Sequence, residues 1–204
     1  MIKLSTFKTV AFDLDDTLYK ERDFLISGMN HCINEFAPSL DVNKLGKNWI
    51  QKIANKSGAT IEEILESYRT HIPDITLSNG AFQLLNKLIS IEVKLVLITD
   101  GRSTTQNNKI DALGIRGFFN QIIISEEIGS KKPDMANFRV DSSNECVYIA
   151  DNPKKDFITP NALGWLTIQI NDSGRNIHPQ NIVVKNNQKA KLKVNQLKEL
   201  LNYV

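Results

Sequence analysis

A chain of 204 residues with 41% hydrophobic and 24% charged side chains has the make-up of an ordinary soluble globular protein, long enough for one domain or for one domain carrying a smaller insert. Its 25 basic and 23 acidic residues leave a formal charge of +2, which excludes a global field for nucleic acid or an anionic membrane. No run approaches the roughly 20 apolar residues that span a bilayer, no secretory leader opens the chain, and Cys32 and Cys146 make no metal-type spacing; a cytoplasmic protein in reducing surroundings is expected.

The first element is an apolar run at residues 9–13, and it ends in an unusual place. The stretch VAFDLDDTLYK, from Val10 to Lys20, crowds Asp13, Asp15 and Asp16 at the end of what reads as a strand. Residues 21–73 then show helical periodicity and no strand-like run: RDFLISGMNHCINEF, VNKLGKNWIQKIA and TIEEILESYRT, the last opening on a Thr60/Glu63 capping box. This stretch reads as an all-helical insert after the first strand.

An N-cap signal at Ser78 and Asn79 leads into AFQLLNKLI, where Phe82, Leu85, Leu88 and Ile89 are expected on one buried face. Strand-like runs return at residues 94–100, 121–125, 145–151 and 165–170. Between them a helix follows Ser103 and stops before Gly114, and DMANFRVD allows a helix of a turn or two. VNQLKELLNYV is expected to close the chain as a helix, beside a Lys-richer tail (Lys185, Lys189, Lys191, Lys193, Lys198) that reads as a solvated face. Apolarity that is continuous rather than alternating marks strands covered on both faces, hence an α/β protein with a parallel sheet.

In an open parallel sheet, ligands bind beyond the carboxyl ends of the strands. Asp13 with Asp15, Asp100, and Asp151 with Asp156 all belong to that edge. Two residues apart in extended chain, Asp13 and Asp15 leave the backbone on the same side, and Asp16 points elsewhere. Gathering Asp13 with Asp151 concentrates negative charge, which a hard divalent cation such as Mg²⁺ relieves through oxygen ligands. Lys132, in GSKKP, can screen both a carboxylate nucleophile and a transferring phosphoryl group. Thr99, with the backbone of Asp100 and Gly101 after it, can hydrogen-bond phosphate oxygens. The set describes phosphoryl transfer through an aspartyl intermediate.

These residues resemble the haloacid dehalogenase-like hydrolases. Asp13-Leu14-Asp15-Asp16-Thr17 is similar to the family's first motif, Thr99 to the second, Lys132-Pro133 to the third, and Asp151-Asn152-Pro153-Lys154-Lys155-Asp156 to the fourth, in the family's order. The resemblance implies a Rossmann-like three-layer core of residues 1–19 and 76–204, with residues 20–75 as a helical cap that names the substrate. It makes Asp13 the nucleophile, and Asp15 the acid that protonates the leaving alcohol and then activates water. Mg²⁺ would be held by Asp13, the backbone carbonyl of Asp15 and Asp151, with Asp156 either a ligand or an orienter of Lys132. The dehalogenases of the family lack an acid where Asp15 stands, so the resemblance favours a phosphatase of a small phosphorylated metabolite, a sugar phosphate or nucleoside monophosphate.

A phosphomutase, a receiver-like signalling module and a non-catalytic phosphate-binding protein are the alternatives, and the oligomeric state is left open. Two departures from the family's pattern bear on the site: Ala150 in place of the usual Gly, and only 19 positions from Lys132 to Asp151. Lys131 is the second choice for the catalytic lysine. His31, His71 and His178 show no ligand spacing, and Trp49 and Trp165 read as packing residues.

Overall fold

The computed structural model describes residues 3–140 and 145–204. Six strands, β1 (Thr9–Phe12), β2 (Lys94–Thr99), β3 (Gln121–Ile124), β4 (Cys146–Ala150), β5 (Leu166–Ile170) and β6 (Leu192–Val194), form one sheet in the order β3-β2-β1-β4-β5-β6. Every neighbouring pair is parallel. All four residues of β1 and all five of β4 are buried, which is why their apolarity runs without a break.

Successive side chains of β1 feed opposite layers. Val10 and Phe12 join Leu95, Leu97, Val147 and Ile149 in a core closed by Leu84, Leu85 and Leu88, while Ala11 joins Val96, Ile98, Tyr148, Phe138 and Trp165 on the other face. The sheet is therefore the middle of three layers, a Rossmann-like α/β arrangement. From β1 the chain builds β2 and β3 on one flank and then returns to place β4 on the other. That reversal of direction opens a crevice at the carboxyl ends of β1 and β4.

Between β1 and β2 lie α1 (Glu21–Phe36), α2 (Trp49–Ser57), α3 (Ile61–Thr70) and α4 (Ala81–Ser90). The first three pack on each other, burying Met29, Cys32, Ile33, Trp49, Ile53, Ala54 and Ile64 in a cluster of their own. The capping box of α3 is present, with the Glu63 amide donating to Thr60 Oγ1 at 3.2 Å and the Thr60 amide to Glu63 Oε2 at 2.8 Å. A single bridge from Tyr19 to Leu77 holds the segments before and after the helical stretch side by side, and another, Asp15 to Tyr19, closes the turn after β1. The remaining helices are α5 (Ser103–Ala112), α6 (Ser125–Ile128) and α7 (Ile158–Ala162). Among the described residues no helix is long and apolar enough to cross a membrane.

Several elements differ from the sequence reading. Helix α4 is not capped by Ser78 or Asn79; Gly80 precedes it at φ +82°, and a Cβ there would lie 2.4 Å from the Cα of Lys198. Its buried face is Ala81, Leu84, Leu85 and Leu88, whereas Phe82 and Ile89 are 55% and 43% exposed. Phe82 instead meets Phe118 edge-on at the surface. The closing helix is 3-10 rather than α, Leu197–Tyr203, and its period of three buries Leu197 and Leu200. Within the Lys-rich tail lies an edge strand, β6, with Leu192 and Val194 turned to the core around an exposed Lys193. In DMANFRVD only a 3-10 turn forms, Met135–Phe138, and residue 141 lies outside the described residues. Trp49 and Trp165 are both buried packing residues, and the Ala150 methyl belongs to the core cluster of Phe138 and Trp165.

Candidate active site

Strand β1 ends by handing its hydrogen bonding on: the Asp13 amide donates to the Ile149 carbonyl at 2.9 Å, so the nucleophile candidate sits on the last rung of the ladder. Lys132 comes to it from the loop after α6, and the Lys132–Pro133 peptide that follows is cis. Its ammonium lies 2.7 Å from Asp13 Oδ1, 2.8 Å from Asp156 Oδ1 and 3.1 Å from the Tyr148 hydroxyl. Asp13 and Tyr148 accept its hydrogen bonds, whereas Asp156 Oδ1 is an ion-pair neighbour that accepts no hydrogen bond among the described residues. Burial works against this charge, but Asp13 and Asp156 outweigh it and hold Lys132 well above its ordinary range. Lys131, by contrast, is exposed and lines a neighbouring groove.

Asp13, Asp151 and Asp156 each present one carboxylate oxygen within 4.8 Å of the others, all three residues buried. Burial first, then neighbouring acids, lift Asp13 to about 7 against the pull of Lys132. Burial, Asp156 and Asp13 lift Asp151 to about 9. Three crowded hard oxygens, from carboxyls of which Asp13 and Asp151 are raised by burial and neighbouring acids, suit a hard divalent cation, so the donor set fits Mg²⁺. The Asp15 carboxyl stands outside this group; of the expected ligands it can contribute only its backbone carbonyl. Asp156 also orients the fourth-motif turn, its Oδ2 accepting from the Asn152 amide at 2.9 Å. Asp151 is braced from the loop after β5, where Asn176 Nδ2 donates to its Oδ2 at 2.9 Å.

Asp15 faces α5 instead. Its Oδ1 accepts from Lys109 at 2.8 Å and from the Tyr19 hydroxyl, and its Oδ2 from Gln106 at 3.0 Å. Burial would raise this carboxyl, but Lys109 and the hydrogen bonds of Tyr19 and Gln106 hold it below its ordinary range. Asp16, at φ +56°, turns away and accepts from the backbone amides of Glu21 and Ile177, joining the start of α1 to the loop after β5. Thr17 Oγ1 is buried with no hydrogen-bond partner among the described residues.

Thr99 is set back from the acids, whereas Asp100 stands beside them on the cavity wall. Thr99 is buried, and its hydroxyl accepts from Gln106 Nε2 at 2.5 Å. Asp100 has both oxygens engaged, one by the Lys132 amide at 3.0 Å and one by the Lys155 ammonium at 2.6 Å. In this role it fixes the Lys132 backbone and the Lys155 ammonium rather than a phosphate. The Gly101 amide donates to Ser125 Oγ at 2.9 Å, and a side chain at Gly101 would strike Gln106.

A cavity of about 130 Å³ opens over these groups, walled by Asp13, Asp15, Asp100, Asp151, Glu21 and Lys155, with Asp16, Asn152 and His178 completing it. Lys132, Thr99 and Asp156 stand behind that wall, and Gly101 lines the adjoining groove. Lys109, Gln106, Tyr19, Glu21 and Lys155 were not singled out from the sequence. Lys155 lay inside the fourth motif, and Tyr19 and Glu21 a few residues beyond the first, so position along the chain was the available signal. Nothing in the polar pattern of α5 marks Gln106 or Lys109.

The profile of the haloacid dehalogenase-like hydrolase family matches residues 10–169. The chain belongs to that family. It is 29% identical over 192 residues to a glyceraldehyde 3-phosphate phosphatase of Methanocaldococcus jannaschii, covering 80% of this chain and 84% of the relative. It is 37% identical over 158 residues to the pyrimidine 5'-nucleotidase YjjG of Escherichia coli, covering 63% and 67%. Among solved structures, the HAD hydrolase YfnB of Bacillus subtilis, bound to magnesium, superposes with a TM-score of 0.71 at 18% identity over 96% of this chain and 97% of that one.

Proposed function

We propose that the protein is a Mg²⁺-dependent phosphatase of a small phosphorylated metabolite, working through an aspartyl phosphate on Asp13. The observation that carries this reading is the Lys132 ammonium bridging Asp13 and Asp156 beside Asp151. Asp13 attacks phosphorus, and the bond from phosphorus to the ester oxygen breaks. Lys132 favours the ionised form of the attacking carboxyl against its burial and offsets charge on the phosphoryl oxygens. Asp15 gives the leaving oxygen a proton; a substrate dianion beside it raises its proton affinity for that step. Asp15 then takes a proton from water as the water attacks phosphorus, which frees phosphate and restores Asp13. A cation held by Asp13, Asp151 and Asp156, with the Asp15 carbonyl, would supply charge neutralisation at the phosphoryl group. Residues 20–75 act as the cap over a core of residues 1–19 and 76–204.

The cavity wall bears on the substrate. At about 130 Å³ the cavity itself has room for a phosphate and little more, and it opens past Asp100 and Lys155 into the adjoining groove. Most charges around it pair off: Asp15 with Lys109, Asp100 with Lys155, Asp13 with Lys132. Glu21 has no hydrogen-bond partner among the described residues for its carboxyl, and burial with the nearby Asp15 pushes it up to about 8. Arg102 and Lys131 line the adjoining groove instead. Within the cavity a second anion on the substrate would find no unpaired cation among the described residues. A short phosphate ester with hydroxyl or carbonyl groups fits better, in keeping with the name of the archaeal relative.

A kinetic panel with Mg²⁺ tests both parts. Glycerol 3-phosphate and glyceraldehyde 3-phosphate are expected to exceed 3-phosphoglycerate in kcat/KM by about tenfold or more. Asp13→Asn is expected to lose about 10³-fold or more on every ester. Equal turnover by Asp13→Asn removes the covalent mechanism, and a preference for 3-phosphoglycerate removes the substrate class.

A further inference from the structure

Helix α5 carries no residue of the four family motifs, yet it sends two side chains into the site from one face. Gln106 and Lys109 are three residues apart, the spacing that stacks side chains on a helix surface. Both are buried, at 1% and 4% exposure. The Lys109 ammonium lies 4.3 Å from the centre of the Phe24 ring and 5.9 Å from that of Tyr19, and its carboxylate partner is Asp15 at 2.8 Å. An ammonium taken out of water into an aromatic niche is costly unless a carboxylate stays in place beside it. Lys109 therefore ties the position of Asp15 to that of α5. Gln106 takes the other carboxylate oxygen at 3.0 Å and reaches Thr99 Oγ1 with the same amide nitrogen, so both ends of the carboxyl group are held.

We propose that Lys109 and Gln106 are positioning residues for the reaction, a clamp that aims the Asp15 carboxyl at the leaving-group oxygen while leaving it on the cavity wall. The proposal rests on the phosphatase reading, in which Asp15 protonates that oxygen as its bond to phosphorus breaks. The carboxyl keeps only part of its surface open, with a side-chain exposure of 18%. A carboxyl confined in this way reaches the leaving atom in one geometry, and proton transfer is sensitive to such aim.

The leaving group separates this role from a merely structural one. Glycerol 3-phosphate expels an alkoxide that needs a proton; p-nitrophenyl phosphate expels a phenolate that does not. Through a phosphoenzyme, kcat/KM reports the steps up to phosphoryl transfer, and the ratio for the two esters on one protein sample cancels any unfolded fraction. Lys109→Met is expected to lower the alkyl-to-aryl ratio by about tenfold or more, as is Asp15→Asn. Adding Lys109→Met to Asp15→Asn is expected to lower it no further, because both act through one group. Gln106→Leu carries the same expectation should Lys109→Met not fold. A wild-type ratio in Lys109→Met and Gln106→Leu, with Asp15→Asn lowered, overturns the clamp and leaves the phosphatase reading standing. So does a double variant that falls by the product of the single effects. A wild-type protein that hydrolyses neither ester overturns both.

Discussion

Asp13 and Asp151 are carboxyls pushed up to about 7 and about 9 inside the folded chain, against an ordinary value near 4. In metal-free protein the folded state thus holds these protons more tightly than the unfolded state. The stability this lends is complete below about pH 4 and is lost as pH rises through 7 and 9. A divalent cation replaces the protons, so added Mg²⁺ is expected to raise the melting temperature more at pH 9 than at pH 6. Thermal scans with chelator and with Mg²⁺ check this, and an equal shift at both pH values contradicts it. The acids themselves were legible in the sequence because each lies at or just past a strand end, in a short motif. Lys109 and Gln106 were not, because a buried polar side chain on a helix is defined by what reaches it from elsewhere in the chain. Asp100 was legible as a site residue but not in its engagement, since its partners Lys132 and Lys155 are brought to it by two other loops.

Elements were read best where one physical signal dominated. Buried parallel strands favour apolar residues at successive positions, and β1, β2, β3, β4 and β5 all lie within the runs identified by that criterion. The three-residue β6 offers too short a pattern, and its Lys193 masks it. Helix α4 shows the limit of periodicity: positions 82, 85, 88, 89 and positions 81, 84, 85, 88 both satisfy helical spacing, and only the approach of the sheet selects the second. Substitution separates the two faces. Leu84→Ala, at a fully buried site, is expected to cost about 2 to 5 kcal/mol in urea unfolding. Phe82→Ala, at a half-exposed one, is expected to cost about 1 kcal/mol or less. The reverse order would return the core to Phe82.

At the scale of the whole molecule, the sheet order converts sequence distance into proximity. With β1 between β2 and β4, the loops after β1 and β4 meet at one crevice, and the loop after α6 reaches it from the far flank. Asp13, Lys132, Asp151 and Asp156 are gathered there from across more than half the chain. The family motifs made that gathering readable in outline. The small cavity and its unpaired Glu21 were not readable, because the wall is assembled from the loops after β1, β2, β4 and β5 and the start of α1, surfaces with no shared pattern in sequence. The proposed chemistry turns on a bond formed on Asp13. Rapid acid quench during turnover of a ³²P-labelled ester with Mg²⁺ should leave one phosphoryl group per chain on the peptide carrying Asp13, stable in acid and released by base. Label on another residue, or turnover with no label on the protein at any quench time, would contradict it.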